Sequence, residues 1–244
     1  MTRVETIEEK EHVEQILEEA KNNVSIDAES PYAEPYSKER VQEIRASEKY
    51  KPYMILKTII GWLGAFVALL ILLLPFFLIS IVSFCADPGP VLFLQTRCGR
   101  NGKPFKAVKF RTMKRGVIHT HVSAQALTEE DYKKTSNGWQ RWLRKTSLDE
   151  LPQVFNILAG QMAWIGPRPI MYNESLVIER RIENGAIHCK PGLSGLAQVN
   201  GRRAIDYIVK ANFDGEYYQH LNLWTDIKLF FKTIGYVFER KDAA

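Results

Sequence analysis

Cysteine is scarce in this sequence of 244 residues, and its placement excludes two classes of small stabilised domain. Cys85, Cys98 and Cys189 are the only three, an odd number with no close pair. They form neither a disulfide framework nor a zinc-binding pattern, and they favour a reducing cytoplasm. No internal repeat is visible either, so a solenoid is not expected.

Charged residues are missing from 27 consecutive positions, Thr58 to Phe84, although the mean hydropathy of the chain is only −0.21. A straight helix of this length would measure about 40 Å, which exceeds the roughly 30 Å hydrocarbon core of a bilayer. The stretch excludes a wholly soluble protein, and the lack of a second one excludes a polytopic transporter. It begins after fifty polar residues and no cleavage pattern follows, so we expect a retained anchor rather than a signal peptide.

Pro75 divides the apolar stretch into 17 residues before it and nine after it. An interior proline removes one helix hydrogen bond and clashes with the preceding turn. Lysine and arginine flank both ends, so the positive-inside rule places both ends in the cytoplasm. A re-entrant helix that bends at Pro75 satisfies the length and the flanks, whereas a kinked bitopic helix satisfies only the length. The residues alone leave both topologies open.

The charge is unevenly distributed along the chain. Residues 1–50 contain seven Lys and Arg against thirteen Asp and Glu, a net charge of −6, and because the whole chain carries +5 the other 194 residues carry +11. The spacing predicts a helix over residues 4–20, then a proline-containing linker, and the charged run from Ser37 to Lys49 is also compatible with a helix. A solvated extension and a partner-binding helix both fit this segment. We expect three parts: an acidic extension, 1–50, a membrane helix, 51–90, and a cytoplasmic domain at the membrane interface, 91–240.

Two short strand-like runs between positions 91 and 113 flank a glycine-containing turn, which predicts a β-hairpin. The cations of the hairpin are either a fringe facing lipid headgroups or ligands for a phosphate at the membrane surface. Lys109 and Arg111 are separated by one residue and would share a strand face, which favours phosphate binding.

The densest candidate site is the pair Asp149 and Glu150, which follows Arg144 and precedes an apolar helical pattern. One interpretation is structural, with Ser147 and Glu150 forming a capping box. Pro152 argues against that form, because a helix capped at Ser147 would place proline where a backbone N–H is needed. A helix that begins near Asp149 puts both carboxylates at its N-terminus, where Mg²⁺ would let them coexist with a phosphate. A metal-assisted phosphoryl site and a purely structural helix start both remain open.

Further along, Arg168 lies between two prolines, which stiffen its backbone, and a loop with three glycines over residues 190–203 ends in Arg202 and Arg203. A rigid turn with an exposed arginine explains the first feature equally well. The loop resembles neither a P-loop nor a Rossmann fingerprint. The apolar spacing predicts a C-terminal helix over about 221–238, packed on a core or lying in the membrane interface.

With these motifs in place, the sequence closely resembles the bacterial sugar transferase family, the monotopic phosphoglycosyl transferases that start lipid-linked glycan assembly. The resemblance covers about residues 51–233. It implies a mixed α/β, mostly helical, membrane-associated domain with a re-entrant helix broken at Pro75 and interfacial amphipathic helices. The most specific motifs are Lys-Phe-Arg-Thr-Met at 109–113, Arg-Lys-Thr-Ser-Leu-Asp-Glu-Leu-Pro-Gln at 144–153, Gly-Pro-Arg-Pro at 166–169 and the stretch 191–201.

The resemblance also implies an activity, the first membrane step of exopolysaccharide, capsule or glycoconjugate biosynthesis. A sugar 1-phosphate would pass from a nucleoside diphosphate sugar, usually a UDP-sugar, to polyprenyl (undecaprenyl) phosphate with release of UMP. Asp149 matches the nucleophile that forms a covalent phosphosugar intermediate, and Glu150 matches its metal-binding partner, with Mg²⁺ at the diphosphate. Arg144 matches an arginine that holds phosphate oxygens. The other expected substrate or active-site contacts are Lys109, Arg111, Arg168, Gln198 and Arg202.

Two positions depart from the family pattern: Leu74 stands where many members have serine, and Asp131-Tyr132-Lys133 replaces Asp-Pro-Arg. The resemblance implies the bacterial inner or plasma membrane, with the catalytic domain on the cytoplasmic face. Membrane lipids and two phosphate-bearing substrates, rather than nucleic acid, then explain the positive charge beyond residue 50. The identity of the sugar, homo-oligomer formation and glycan-pathway partners of residues 1–50 are left open.

Two other functions are compatible with the same residues. A non-catalytic bitopic scaffold would use its basic domain to bind anionic headgroups or nucleic acid. A direct, metal-assisted transfer through a ternary complex would form no covalent adduct.

Overall fold

The computed structural model describes residues 35–49, 51–114, 133–201 and 207–238. Over these residues the chain is mostly helical with two small two-stranded sheets, which confirms the mixed, mostly helical class. The predicted helix over residues 4–20, the departure at Asp131 and Tyr132, and the predicted contact Arg202 lie outside the described residues.

The elements have the following bounds. The principal helices are α1 (Lys38–Ala46), α2 (Tyr53–Ala86), α3 (Gly138–Thr146), α4 (Val154–Leu158), α5 (Ser175–Glu183), α6 (Leu196–Gly201), α7 (Tyr207–Gln219) and α8 (Leu223–Phe238). The strands are β1 (Leu92–Cys98), β2 (Pro104–Phe110), β3 (Ala163–Ile165) and β4 (Gly192–Ser194). Short 3₁₀ turns cover Arg100–Gly102, Leu148–Gln153 and Ala186–His188.

Helix α1 confirms a helix within the charged run from Ser37 to Lys49, over Lys38–Ala46. Ser37 caps it, because its hydroxyl accepts a hydrogen bond from a backbone N–H of the first turn at 3.2 Å. Ile44 is buried against the domain that follows, and just beyond the helix Glu48 accepts a hydrogen bond from Asn101 at 2.9 Å. The end of the acidic extension is therefore packed onto the rest of the chain.

Helix α2 is 34 residues long and continues through Pro75 as one helix. Among the described residues it is the one helix long and apolar enough to cross a membrane, with a mean hydropathy of 3.0 over its most apolar 18 residues. Large apolar side chains are exposed along it, including Ile55, Leu63, Ile71 and Phe77. The structure is compatible with the predicted membrane association, and the break at Pro75 stays a prediction.

One face of α2 is packed against the rest of the chain at both ends and in the middle. Lys57, near its start, forms an ion pair with α8. In the middle, the carbonyl oxygen of Gly61 accepts a hydrogen bond from Trp164 at 3.1 Å. Near its end, the hydroxyl of Ser83 accepts a hydrogen bond from Trp139 at 2.9 Å. Both ends of α2 therefore contact the domain that carries the candidate site.

Strands β1 and β2 form the predicted hairpin. They pair antiparallel, with Leu92 opposite Phe110 at one end and Cys98 opposite Pro104 at the other. The turn between them contains two left-handed residues, Asn101 with φ of 59° and Gly102 with φ of 76°. The hairpin places β2 in contact with the Leu148–Gln153 turn.

Helix α8 confirms the predicted C-terminal helix and fits both of its predicted environments. Leu229 is buried in a core cluster with residues of α7 and β3. Trp224 and Phe231 are 63% and 64% exposed, which leaves an apolar surface on the same helix. A location of that surface in the membrane interface stays a prediction.

Candidate functional site

Asp149 and Glu150 lie directly after a sharp reversal of the chain. Helix α3 ends one residue before Ser147, which adopts a left-handed conformation with φ of 56°. The 3₁₀ turn that follows begins at Leu148 and carries both carboxylates in its first turn. Ser147 makes no side-chain capping bond to that turn, so the capping-box interpretation is wrong. A helical start near Asp149 is confirmed, but as a 3₁₀ turn from Leu148, and the α-helix itself begins only at Val154.

Glu150 is held by two cations from distant parts of the chain. Lys109 of β2 donates to its Oε1 at 2.8 Å, and Arg168 of the Pro-Arg-Pro segment donates to the same oxygen at 3.0 Å. Burial alone would raise the pKa of Glu150, but the charges of Arg168 and Lys109 outweigh it and hold that pKa well below its usual range. Glu150 therefore remains ionised at neutral pH.

Asp149 has the opposite electrostatic environment. It is 7% exposed, and burial, followed by the charge of Glu150, raises its pKa from 3.8 to about 6. Lys109, Arg144 and Arg168 oppose this rise without cancelling it. Three cations thus act on two carboxylates, which gives the cluster a net charge of +1 before any phosphate is bound. An adjacent pair with pKa values driven apart is typical of a catalytic site.

The backbone of Arg168 and Pro169 is held by two arginines that sequence analysis did not single out. Arg181 of α5 donates to the carbonyl oxygen of Arg168 at 3.0 Å and is paired with Asp214 of α7 at 2.9 Å. Arg97 of β1 donates to the carbonyl oxygen of Pro169 at 3.4 Å. Burial lowers the pKa of Arg97 to about 10, which still leaves it charged.

A signal for Arg181 was present in the sequence. It follows Val177 and Ile178 at helical spacing and is buried on the same face of α5. A charged side chain at an apolar-face position needs a buried partner, although the spacing does not identify Asp214 as that partner.

Arg111, the second predicted cation of the hairpin, has different partners from Lys109. Its Nε donates to the carbonyl oxygen of Pro90 at 2.7 Å and its Nη1 donates to Asp87 at 2.7 Å. These contacts fasten the end of β2 to the residues that follow α2. Arg111 is therefore not brought into contact with Glu150, and a substrate contact for it stays a prediction.

Gln198 of α6 is left with both side-chain amide atoms buried and without a hydrogen-bond partner among the described residues. A buried amide without a partner is costly, so a ligand that supplies a donor and an acceptor would stabilise it. This fits the predicted substrate contact, which stays a prediction.

Asp149 and Glu150 are the donor set with which a metal would be held. In the described ranges, no group of three His, Cys, Asp or Glu side chains converges. Mg²⁺ is commonly bound by one or two carboxylates together with substrate phosphate oxygens, so this pair fits that ion in the presence of a diphosphate. The raised pKa of Asp149 agrees with this, because a divalent cation would offset the repulsion from Glu150.

Residues 52–240 match the sequence model of the family described as bacterial sugar transferase. A UDP-galactose-lipid carrier transferase of Erwinia amylovora is 37% identical over 205 residues, which cover 77% of this chain and 41% of that protein. The UDP-glucose:undecaprenyl-phosphate glucose-1-phosphate transferase of Escherichia coli (strain K12) is 40% identical over 175 residues, 68% of this chain and 36% of that protein. The exopolysaccharide production protein ExoY of Rhizobium meliloti (strain 1021) is 34% identical over 190 residues, 70% of this chain and 80% of ExoY.

The chain spans less than half the length of the first two relatives and matches most of ExoY. The family match includes α2 and the cluster around Asp149, and it begins after α1. Because it covers well over half of the sequence, the chain belongs to the bacterial sugar transferase family.

Proposed function

We propose that this chain transfers a sugar 1-phosphate from a UDP-sugar to undecaprenyl phosphate and releases UMP. The observation that carries the proposal is the carboxylate pair, in which Lys109 and Arg168 hold Glu150 ionised beside the buried Asp149. The names of the relatives from Erwinia amylovora and Escherichia coli supply the donor and acceptor classes. The name of ExoY supports a place in exopolysaccharide production.

In the first step, Asp149 is the nucleophile. One of its carboxylate oxygens attacks the β-phosphorus, an oxygen–phosphorus bond to the aspartate forms, and the bond to the departing UMP oxygen breaks. Burial of Asp149 keeps water from competing for the same phosphorus and from hydrolysing the resulting acyl phosphate. A phosphate oxygen of the lipid acceptor then attacks this phosphorus, and the aspartate leaves unchanged. The reaction is split into two displacements at one carboxylate.

The surrounding cations orient the reacting groups. Lys109 and Arg168 fix Glu150, and their charges also extend to Asp149. Arg144 lies at the end of α3, where its charge acts on Asp149 and where a planar guanidinium suits phosphate oxygens. Mg²⁺, held by Glu150 and Asp149 together with the diphosphate, would supply positive charge to the leaving group.

We also propose a re-entrant topology for α2, which the contacts at its two ends support. An upright helix of 34 residues would span about 50 Å, so a domain on one face of the bilayer could reach only one of its ends. Tyr53 near the start donates to Asp226 at 2.6 Å, and Asn137 donates to the carbonyl oxygen of Ala86 at 3.2 Å. We infer that α2 enters and leaves at the cytoplasmic face of the inner membrane and turns near Pro75.

Measuring UMP release from UDP-galactose and UDP-glucose with undecaprenyl phosphate and Mg²⁺ tests the function. We expect transfer with at least one donor, and its loss in the Asp149→Asn variant. Glu183→Gln, which alters an exposed carboxylate on α5, is the matched control and should retain activity. An Asp149→Asn variant with wild-type activity would contradict the proposed mechanism. Failure of the wild-type chain with a full panel of nucleotide sugars would favour the scaffold alternative.

A further inference from the structure

A basic groove between the end of α1 and the first turns of α2 has no role in the proposed reaction. Its volume is about 560 Å³, which lies within the roughly 300–1,000 Å³ typical of small-ligand sites. Glu48 is the only carboxylate among its lining residues. The cations that line it are Arg45, Lys51, Arg100 and Lys190.

The single carboxylate neutralises only one of these cations, because Glu48 is paired with Arg100 and is also bound by Asn101. Within the described residues, Arg45, Lys51 and Lys190 form no ion pair with a carboxylate. Lys51 donates to the carbonyl oxygen of Tyr218 at 2.8 Å. Lys190 donates to the hydroxyl of a threonine in α2 at 3.3 Å. Each ammonium has three N–H donors, so these contacts position the two lysines and account for one donor each.

Two further observations point to an anion in the groove. Burial, followed by the charge of Arg100, lowers the pKa of Lys190, as expected where cations gather without a matching anion. The Nε atom of Arg100 is buried and has no hydrogen-bond partner in the described part of the chain.

The other wall of the groove is apolar and continues onto the exposed surface of α2. Ile55 and Ile59 line it and are 56% and 53% exposed. A ligand in the groove would therefore place its charged group among the cations and its hydrocarbon along α2. A charged group beside a hydrocarbon chain is typical of a lipid whose headgroup lies at the membrane surface.

The groove is separate from the carboxylate pair. The turn that holds Asp149 packs through Leu151 near Phe76 of α2, and Phe76 follows Ile59 by 17 residues, about 25 Å along a straight helix. Within the described ranges, the charges that act most on Asp149 belong to Glu150, Lys109, Arg144 and Arg168, and none of these residues lines the groove.

We propose that the groove binds the phosphodiester headgroup of an anionic phospholipid, with its acyl chains along Ile55 and Ile59, and that this lipid fixes the start of α2 at the membrane surface. A zwitterionic lipid would bring its own ammonium into a groove that already has an excess of cations. Arg45 and Glu48 precede residue 52, where the family match begins, so the site is assembled partly from the extension.

Native mass spectrometry of the full chain with phosphatidylglycerol, phosphatidylcholine or undecaprenyl phosphate tests the proposal. We expect phosphatidylglycerol to bind in preference to phosphatidylcholine. The double variant Arg45→Gln with Lys51→Gln should weaken that binding about tenfold or more. The matched control is Lys38→Gln with Lys49→Gln, which removes two charges from the same segment outside the groove and should bind as wild type.

Three outcomes would overturn the proposal. The first is an equal loss of phosphatidylglycerol binding in both double variants, and the second is equal binding of phosphatidylglycerol and phosphatidylcholine. The third is a loss of undecaprenyl phosphate binding alone in Arg45→Gln with Lys51→Gln. If the double variant does not fold, the single Arg45→Gln variant, altered at an exposed side chain, must still weaken phosphatidylglycerol binding. Asp149→Asn should bind phosphatidylglycerol normally, so this test stands independently of the proposed reaction.

Discussion

Arg181 holds the backbone of Arg168 in place, with its Nη1 donating to the Arg168 carbonyl oxygen at 3.0 Å. The same guanidinium is paired with Asp214, and both side chains are almost completely buried. Arg168 in turn donates to Glu150. A buried ion pair therefore sets the position of a cation that contacts the carboxylate pair.

Replacing Arg181 with lysine should lower kcat about tenfold while the KM for undecaprenyl phosphate stays near the wild-type value. Lysine keeps the charge facing Asp214 but cannot donate to both partners with the geometry of a guanidinium fork. Steady-state UMP release measures both constants. Arg180→Lys, at the exposed neighbouring position, is the control and should leave them unchanged. Equal kinetics in the two variants would show that Arg181 does not position the site.

Neutral substitutions of the two neighbouring carboxylates, Asp149 and Glu150, should change the stability of the fold in opposite directions. The raised pKa of Asp149 means that the folded state binds its proton more tightly than the unfolded chain does. Its ionisation therefore costs stability as pH rises from about 4 to 6, and the cost is fully present above that window. Asp149→Asn should stabilise the metal-free chain at pH 8 by about 2–3 kcal/mol, with the difference vanishing below about pH 4.

Glu150→Gln should instead destabilise the fold by about 2–3 kcal/mol, because it leaves the partly buried Lys109 and its neighbour Arg168 without their shared partner. Thermal unfolding of the full chain in detergent with a chelator compares the two variants. If both variants shift the melting temperature in the same direction, the assigned charges are wrong.

Activity should fall on the acid side as Asp149 protonates, since only its carboxylate is nucleophilic. At limiting Mg²⁺ we expect kcat/KM to decline below a pH of about 6, the value to which burial and Glu150 raise the pKa of Asp149. Higher Mg²⁺ should move this decline to lower pH, because a divalent cation favours the ionised form. A decline near pH 4 that does not depend on the metal would contradict a perturbed Asp149.

Both ends of α2 should be reached from the same side of the membrane. Single cysteines placed before Lys51 and after Pro90, in a chain whose native cysteines are replaced, can be labelled with an impermeant maleimide in sealed vesicles. We expect equal labelling from the cytoplasmic side. Labelling of the two positions from opposite sides would establish a spanning helix.

The elements that could be predicted are those encoded by local patterns. The charged run of α1, the apolar run of α2, the glycine-containing hairpin and the apolar stripe of α8 each carry their own signal. Helix α7 carries none, because residues on several of its faces are buried, including Val209, Ala211, Phe213 and Tyr217. Strands β3 and β4 are three residues each, too short for an alternating pattern.

The candidate site could be predicted only in part, for a related reason. Asp149 and Glu150 are adjacent, and Pro152 constrains where their turn begins. The cations that contact Glu150 come from distant parts of the sequence, since Lys109 is 41 and Arg168 is 18 positions away from it. Spacing alone suggested that Lys109 and Arg111 act together, whereas tertiary packing gives each a different carboxylate.

The most direct measurement is the intact mass of the full chain after incubation with UDP-galactose or UDP-glucose and Mg²⁺, without a lipid acceptor. We expect a mass increase of one sugar phosphate in the wild-type chain, mapped to Asp149, removed by undecaprenyl phosphate and absent in Asp149→Asn. A wild-type chain that transfers sugar phosphate at its full rate while never carrying this adduct would contradict the covalent mechanism and support direct transfer in a ternary complex.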